Sequence, residues 1–187
     1  MIVLLILVVI LVVLGLMLMT TYNRLVGLRQ NANQAFADID VQLKQRQDLV
    51  PNLVETVKGY AAHESGTLEA VTAARAAAAG ASTVQDRVQA ENALTGALRQ
   101  LFAVSEAYPD LKANANFIRL QDELTDIENK LAAARRFFNN TVSEFNASIQ
   151  QFPAVLIAGA MGFAPRTFFD LGENRAAAET APQVKFT

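Results

Sequence analysis

The 187-residue sequence predicts an all-α protein: an N-terminal transmembrane helix followed by an antiparallel up-and-down four-helix bundle with long helices. Three observations carry that expectation. Residues 2–19 are apolar without interruption, apolar side chains recur at steps of three and four through most of the remaining chain, and no sustained period-two stretch marks a strand. The boundaries read as 1–20 for the anchor, 21–152 for the bundle, 153–170 for an apolar tail and 171–187 for a polar, alanine-rich end expected to be disordered.

Composition removes several function classes. The chain has no cysteine, which excludes a disulfide framework, a thiolate metal site and a cysteine nucleophile. A formal net charge of −2, with basic residues scattered singly, gives no footprint for nucleic acid.

The first element is IVLLILVVILVVLGLMLM, and every charged side chain in the protein lies beyond position 21. At the rise of an α-helix this run is about 27 Å long, enough to cross a bilayer hydrocarbon core. A cleaved signal peptide would carry a basic residue before the run and small residues after it. Nothing basic precedes it and Thr20-Thr21-Tyr22-Asn23 comes directly after, so the segment is expected to stay attached. Arg24 and Arg29 are the only basic residues close behind it, which by the positive-inside bias places the bulk of the chain in the cytoplasm.

A helical stripe then runs through Leu25, Leu28, Ala32, Ala35, Ile39, Leu43, Val50, Leu53, Val57 and Tyr60, with Arg46 filling the one gap. Pro51 falls inside the stripe without changing its phase, which favours a kinked helix; a reversal at Val50-Pro51 also yields four helices, of more equal length. His63-Glu64-Ser65-Gly66 is the better turn, with Gly66 closing the helix. TLEAVTAARAAAA comes next as a strong helix former. Gly80-Ala81-Ser82-Thr83 supplies a stop and a new N-cap for a helix from about 84 to 107, whose inner face includes Val88, Leu94, Leu98 and Leu101. Tyr108-Pro109-Asp110 is the third break, with Asp110 placed to cap the next helix. The last helix is expected to carry a stripe from Leu111 through Phe117, Leu124, Leu131, Phe138, Phe145 and Ile149 to Phe152, and Pro153 ends it. Its stripe is too long to leave wet and must pack against helices of similar reach.

Residues 22–79 closely resemble the LemA family, through YNRLVGLRQ and AFADIDVQLKQRQDLVPNLVETVKGYAAHESGTLEAVTAARAA. The stretch YPDLKANANFIRLQDELTDIENKLAAARRFFNNTVSEFNASIQQFPAVLIAGAMGF matches the family's second half. The resemblance implies a bacterial single-pass protein of the cytoplasmic membrane with a four-helix up-and-down bundle and no established enzymatic activity; some relatives look like components of magnetosome membranes. Ser65-Gly66 stands where relatives usually carry charged helix formers, which strengthens the break near residue 65.

A search for chemistry yields little. His63-Glu64 has Thr67 where a metalloprotease helix needs a second histidine. Glu123, Asp126 and Glu128 lack the Glu-x-x-His partners of a di-metal bundle and read as a hydrated face or surface ion pairs. No catalytic, metal or cofactor site is expected. Arg46 in an apolar phase position implies a facing carboxylate, so Asp38, Arg46 and Glu55 are candidates for a registry-fixing pair or for a polar seam that accepts a partner helix. Tyr22-Asn23 and Phe145-Asn146 are similar aromatic-Asn pairs, both expected at the membrane-proximal end, which makes Asn23 and Asn146 candidates for interfacial packing and hydrogen bonding.

The tail after residue 152 is too short and too broken to span, and too apolar to float free. Leu156, Ile157, Phe163, Arg166, Phe168 and Phe169 are candidate membrane contacts, with packing over the open end of the protein's own bundle as the alternative. The expected partners are therefore membrane lipid together with a protein partner or further copies of the chain.

Overall fold

The computed structural model describes residues 1–169, and the expected disordered end at 171–187 lies outside them. Among the described residues all regular structure is helical: α1 (Ile2–Lys58), α2 (Ser65–Gly80), α3 (Val84–Ser105), α4 (Pro109–Lys112), α5 (Ala115–Gln150) and a short 3₁₀ turn (Ala154–Leu156). The chain divides into two compact units, one of Met1–Ile39 with Ala134–Phe168, the other of Asp40–Ala133 with Phe169.

α1 begins in the apolar run, where no side chain is buried. The two threonines after that run do not stop it. Thr20 and Thr21 donate their hydroxyls to the carbonyls of Leu16 and Met17, at 3.0 and 2.7 Å, so neither needs water. In the first unit Leu25 and Leu28 meet Phe145 and Ile149, while Phe36 meets the ring of Phe138 at 5.5 Å; α1 and α5 therefore run antiparallel there.

In the second unit one core collects Val50, Leu53, Val57, Leu68, Val71, Leu94, Leu98, Leu101, Leu111 and Phe117, drawn from all five helices. α1 passes through Pro51 without a break, which settles the first reversal at residues 59–64. Proline brings no N–H to the carbonyl four residues earlier, that of Gln47. Arg75 of α2 supplies the missing donor: its Nε lies 2.7 Å from the Gln47 oxygen. A helix-breaking residue is thus accommodated by a cross-helix hydrogen bond.

Three local expectations need correction. Gly66 does not close a helix; it sits in the first turn of α2, since α1 has already ended at Lys58. Tyr60 leaves the stripe and is exposed, and Ala61 fills the core position instead. Asp110 is not the cap of the last helix. Residues 109–112 form a turn of their own, and Asn114 caps α5 by accepting from the N–H groups of Asn116 and Phe117 at 2.9 and 3.1 Å. The expected N-cap at Thr83 is present, accepting from the Asp86 N–H at 3.1 Å.

The Pro51 arrangement gives a double-mutant test. Arg75→Ala leaves the Gln47 carbonyl without a donor and should cost about 1–3 kcal/mol in urea unfolding of the full chain in detergent. In a Pro51→Ala background the same substitution should cost clearly less, because the new backbone N–H at position 51 reaches that carbonyl. Equal costs in both backgrounds would contradict the assignment.

Candidate functional site

Two polar constellations stand out, one in each unit. In the second unit Arg46 occupies an apolar phase position of α1 and is 1% exposed. An unpaired guanidinium could not survive there. Its two terminal nitrogens are taken up by Glu91 of α3 at 3.2 Å, by Glu128 of α5 at 2.8 Å and by the Thr95 hydroxyl at 2.8 Å. Glu91, itself fully buried, also accepts from Gln47 Nε2 at 3.0 Å. The expected facing carboxylate is therefore present, but it is neither Asp38 nor Glu55. Asp38 is exposed, and Glu55 lies on the surface 3.8 Å from Lys58. Glu128, assigned from the sequence to a hydrated face, is half-exposed and turned onto Arg46. The surface-pair reading does hold for its neighbours, with Asp126 2.6 Å from Lys130 and Glu123 3.8 Å from Arg119.

The signal for Glu91 was available: Val88, Glu91, Leu94 and Leu98 share one helical spacing, so Glu91 is a charge standing in a stripe, as Arg46 is. An open cleft of about 330 Å³ borders the network, lined by Arg46, Thr95, Arg99, Phe102, Thr125 and Glu128 among others. Both terminal nitrogens of Arg46 are already engaged by carboxylates, so the arrangement is suited to fixing helix register rather than to gripping an anion. Asp40 and Arg87 form a further ion pair between α1 and α3. At the 59–64 reversal Tyr108 donates to Glu64 at 3.3 Å, and burial, followed by that carboxylate, pushes its phenol above the ordinary range.

In the first unit the tail folds back onto α1 and α5. Gly162, with φ of 74°, ends a short helical turn: the Phe163 N–H bonds the Ala158 carbonyl at 2.9 Å, and the Gly162 N–H bonds Gly159 at 3.2 Å. That reversal drives Phe163 into a pocket with Leu25, Phe145, Ile149 and Ala158, its ring 5.7 Å from Tyr22 and the Arg29 guanidinium 5.0 Å above it. Asn146 then clasps the backbone of Arg166, accepting from its N–H at 2.8 Å and donating to its carbonyl at 2.9 Å. The Arg166 side chain reaches the Arg29 carbonyl at 3.2 Å.

The candidate membrane contacts consequently separate. Phe163 and Phe169 are buried rather than lipid-facing, and the Phe163 ring gains more from its packed apolar neighbours Leu25, Phe145 and Ile149 than a half-wet interface offers. Leu156 and Phe168 are exposed, and Ile157 and Arg166 are half-buried. Of the aromatic-Asn pairs, Tyr22 and Phe145 do meet at one end, through Phe163. Asn146 makes the hydrogen bonds there, while Asn23 is exposed. No cluster of three or more His, Asp or Glu able to hold a metal occurs among the described residues.

Together these features define a protein that, among its described residues, is all-helical and has one apolar helix, near the N-terminus, long and apolar enough to span a membrane. A family model described as the LemA family matches residues 35–186, and the chain belongs to that family. It is 26% identical over 178 residues to the magnetosome protein MamQ of Magnetospirillum gryphiswaldense, a match covering 81% of this chain and 65% of that protein. A second magnetosome protein, MamQ 2 of Paramagnetospirillum magneticum, is 23% identical over the same span and shares. Protein LemA of Metamycoplasma hominis is 27% identical over 135 residues, covering 70% of this chain and 60% of the relative. The chain thus spans under two thirds of the length of these relatives.

Removing Arg46 alone isolates a buried carboxylate. Arg46→Met should destabilise the full chain by about 3–5 kcal/mol, and adding Glu91→Leu should return most of that loss. Chemical unfolding monitored by circular dichroism measures both, and additive losses would show that the pair is not coupled.

Proposed function

We propose that this chain is a non-catalytic, single-pass membrane protein that holds a helical scaffold beside the bilayer and presents it to protein partners or to further copies of itself. Helix α1 carries the reading. Its first part buries no side chain and is apolar throughout, and the same unbroken helix continues to Lys58, lending its later residues to packed cores. One rod thus has a surface fit for hydrocarbon and a surface fit for a folded domain. The positive-inside bias of Arg24 and Arg29, with the family's bacterial members, supports the cytoplasmic membrane with the helical body in the cytoplasm.

An up-and-down four-helix bundle is the best reading of the second unit. Arg46 with Glu128, and Tyr60 just past the end of α1 with Asn114 at the cap of α5, set α1 antiparallel to α5, whereas Asp40 with Arg87, and Arg46 with Glu91, set α1 parallel to α3. A scaffold needs open helical surface, and α2 offers it. Ala73, Ala76 and Ala77 are exposed, and the first two line a groove of about 620 Å³ with Ala62 and Ser65, where small side chains permit close approach.

The relatives named as magnetosome proteins favour a second reading, a component that shapes or organises an internal membrane. Crosslinked oligomers in vesicles of unchanged shape support the scaffold, whereas tubulated or constricted vesicles support membrane shaping. Saturable binding of a small ligand would speak for a receptor instead.

The anchor itself is testable by alkaline carbonate extraction of membranes. The chain should stay in the pellet, and Leu7→Arg with Leu11→Arg should release it, since each mid-span arginine opposes insertion by about 2.5–3.5 kcal/mol. Release of the unsubstituted chain would remove the reading.

A further inference from the structure

We infer that the turn at residues 152–161 is a membrane-docking edge, seated in the headgroup region of the leaflet that α1 leaves; this rests on the anchored reading of α1. The turn has two faces. Ala154 and Ala158 are buried with Leu25 and Phe163, whereas Phe152 and Leu156 stand 73% and 71% exposed, with Val155 and Met161 exposed beside them. No ionisable side chain occurs between Glu144 and Arg166, so nothing charged must be stripped of water when this edge meets lipid.

Its height along α1 is fixed by contacts. Phe163 packs on Tyr22, which lies beyond the last apolar residue of the anchor, Met19, by about 4.5 Å of helix rise. Ile149 shares a cluster with Leu25, about 9 Å beyond Met19, and the antiparallel α5 runs back from there by about 1.5 Å to its end at Gln150, two residues before Phe152. The two ends that flank the exposed edge, Gln150 and Phe163, are thereby held within about 8 Å of the end of the apolar run. The interfacial layer on each side of a bilayer is about 5–8 Å deep, so an anchored α1 holds these side chains inside it. Tyr22, itself at that level, is a residue type that interfaces favour. Arg29 and Arg166 lie on the far side of Phe163 along α1, where the headgroups give way to water. The occupant that this height and this composition select is the lipid surface.

The absence of cysteine makes the test direct. Full-length protein carrying Leu156→Cys, or separately Phe152→Cys, is labelled with an environment-sensitive nitrobenzoxadiazole dye and reconstituted into vesicles of phosphatidylcholine and phosphatidylglycerol. Asn33→Cys is the reference, exposed on α1 and about 21 Å beyond Met19. The probes at 152 and 156 should show blue-shifted emission, several-fold weaker quenching by aqueous iodide than the probe at 33, and strong quenching by lipids with a shallow nitroxide. Iodide quenching equal to that at 33 overturns the inference. Shielding from both iodide and the lipid nitroxide also overturns it, since protein would then be the cover. Carbonate extraction of the same labelled protein separates the two claims: retention with an iodide-accessible edge removes only this inference, and release removes the anchored reading as well.

Discussion

Taking the guanidinium of Arg46 out of water constrains the second unit more tightly than any apolar contact in it. Apolar side chains tolerate a slide of one residue or a small rotation, because dispersion and burial are nearly direction-free. A buried cation does not. Its partners must arrive at hydrogen-bonding distance, and here they come from two other helices, Glu91 on α3 and Glu128 on α5. Gln47, one residue further along α1, ties the network to a second problem. Its side chain donates to Glu91 while its carbonyl, left open by Pro51, takes the Arg75 donor from α2. A single stretch of α1 thereby touches α2, α3 and α5 through directional bonds. Replacing such a network by apolar side chains can be neutral or favourable to stability, so its contribution lies in selecting one register among several.

The first unit depends on a different device. Its tail has no helix long enough to be stable alone, and a short turn at Ala154–Leu156 would not persist without tertiary support. The support is aromatic. Phe163 meets Tyr22, Phe145 and the Arg29 guanidinium together, a combination in which ring burial contributes about 1.5–3 kcal/mol and favourable ring geometry adds roughly 0.5–1.5 kcal/mol more. The positive φ at Gly162 is what turns the chain so that this ring can enter.

The helices and their inner stripes were legible because a period of three and four leaves a strong mark over long segments. The same mark identified Arg46 as a charge that needs a partner. It did not identify the partner, since Glu91 declares itself only when a charge is allowed to occupy a stripe position of its own. Local turn chemistry was harder to read. Asp110 and Asn114 both have side chains able to cap, and only the extra turn at Pro109–Lys112 decides for Asn114. The tail was least legible. Its mixture of Phe, Leu, Ala and Gly says that it must bury something, but Phe163 and Leu156 look alike in composition and end on opposite faces. No periodicity exists in so short a stretch to tell them apart.

Asn146 holds the tail through the backbone of Arg166 alone, donating to its carbonyl and accepting from its amide. A clasp of that kind is blind to the identity of the residue it grips, proline excepted, and acutely sensitive to how many residues separate the two. Exchanges at position 166 leave the clasp able to form, while a single insertion or deletion between 146 and 166 puts the wrong peptide unit in its jaws. The spacer therefore works as a ruler rather than as a text.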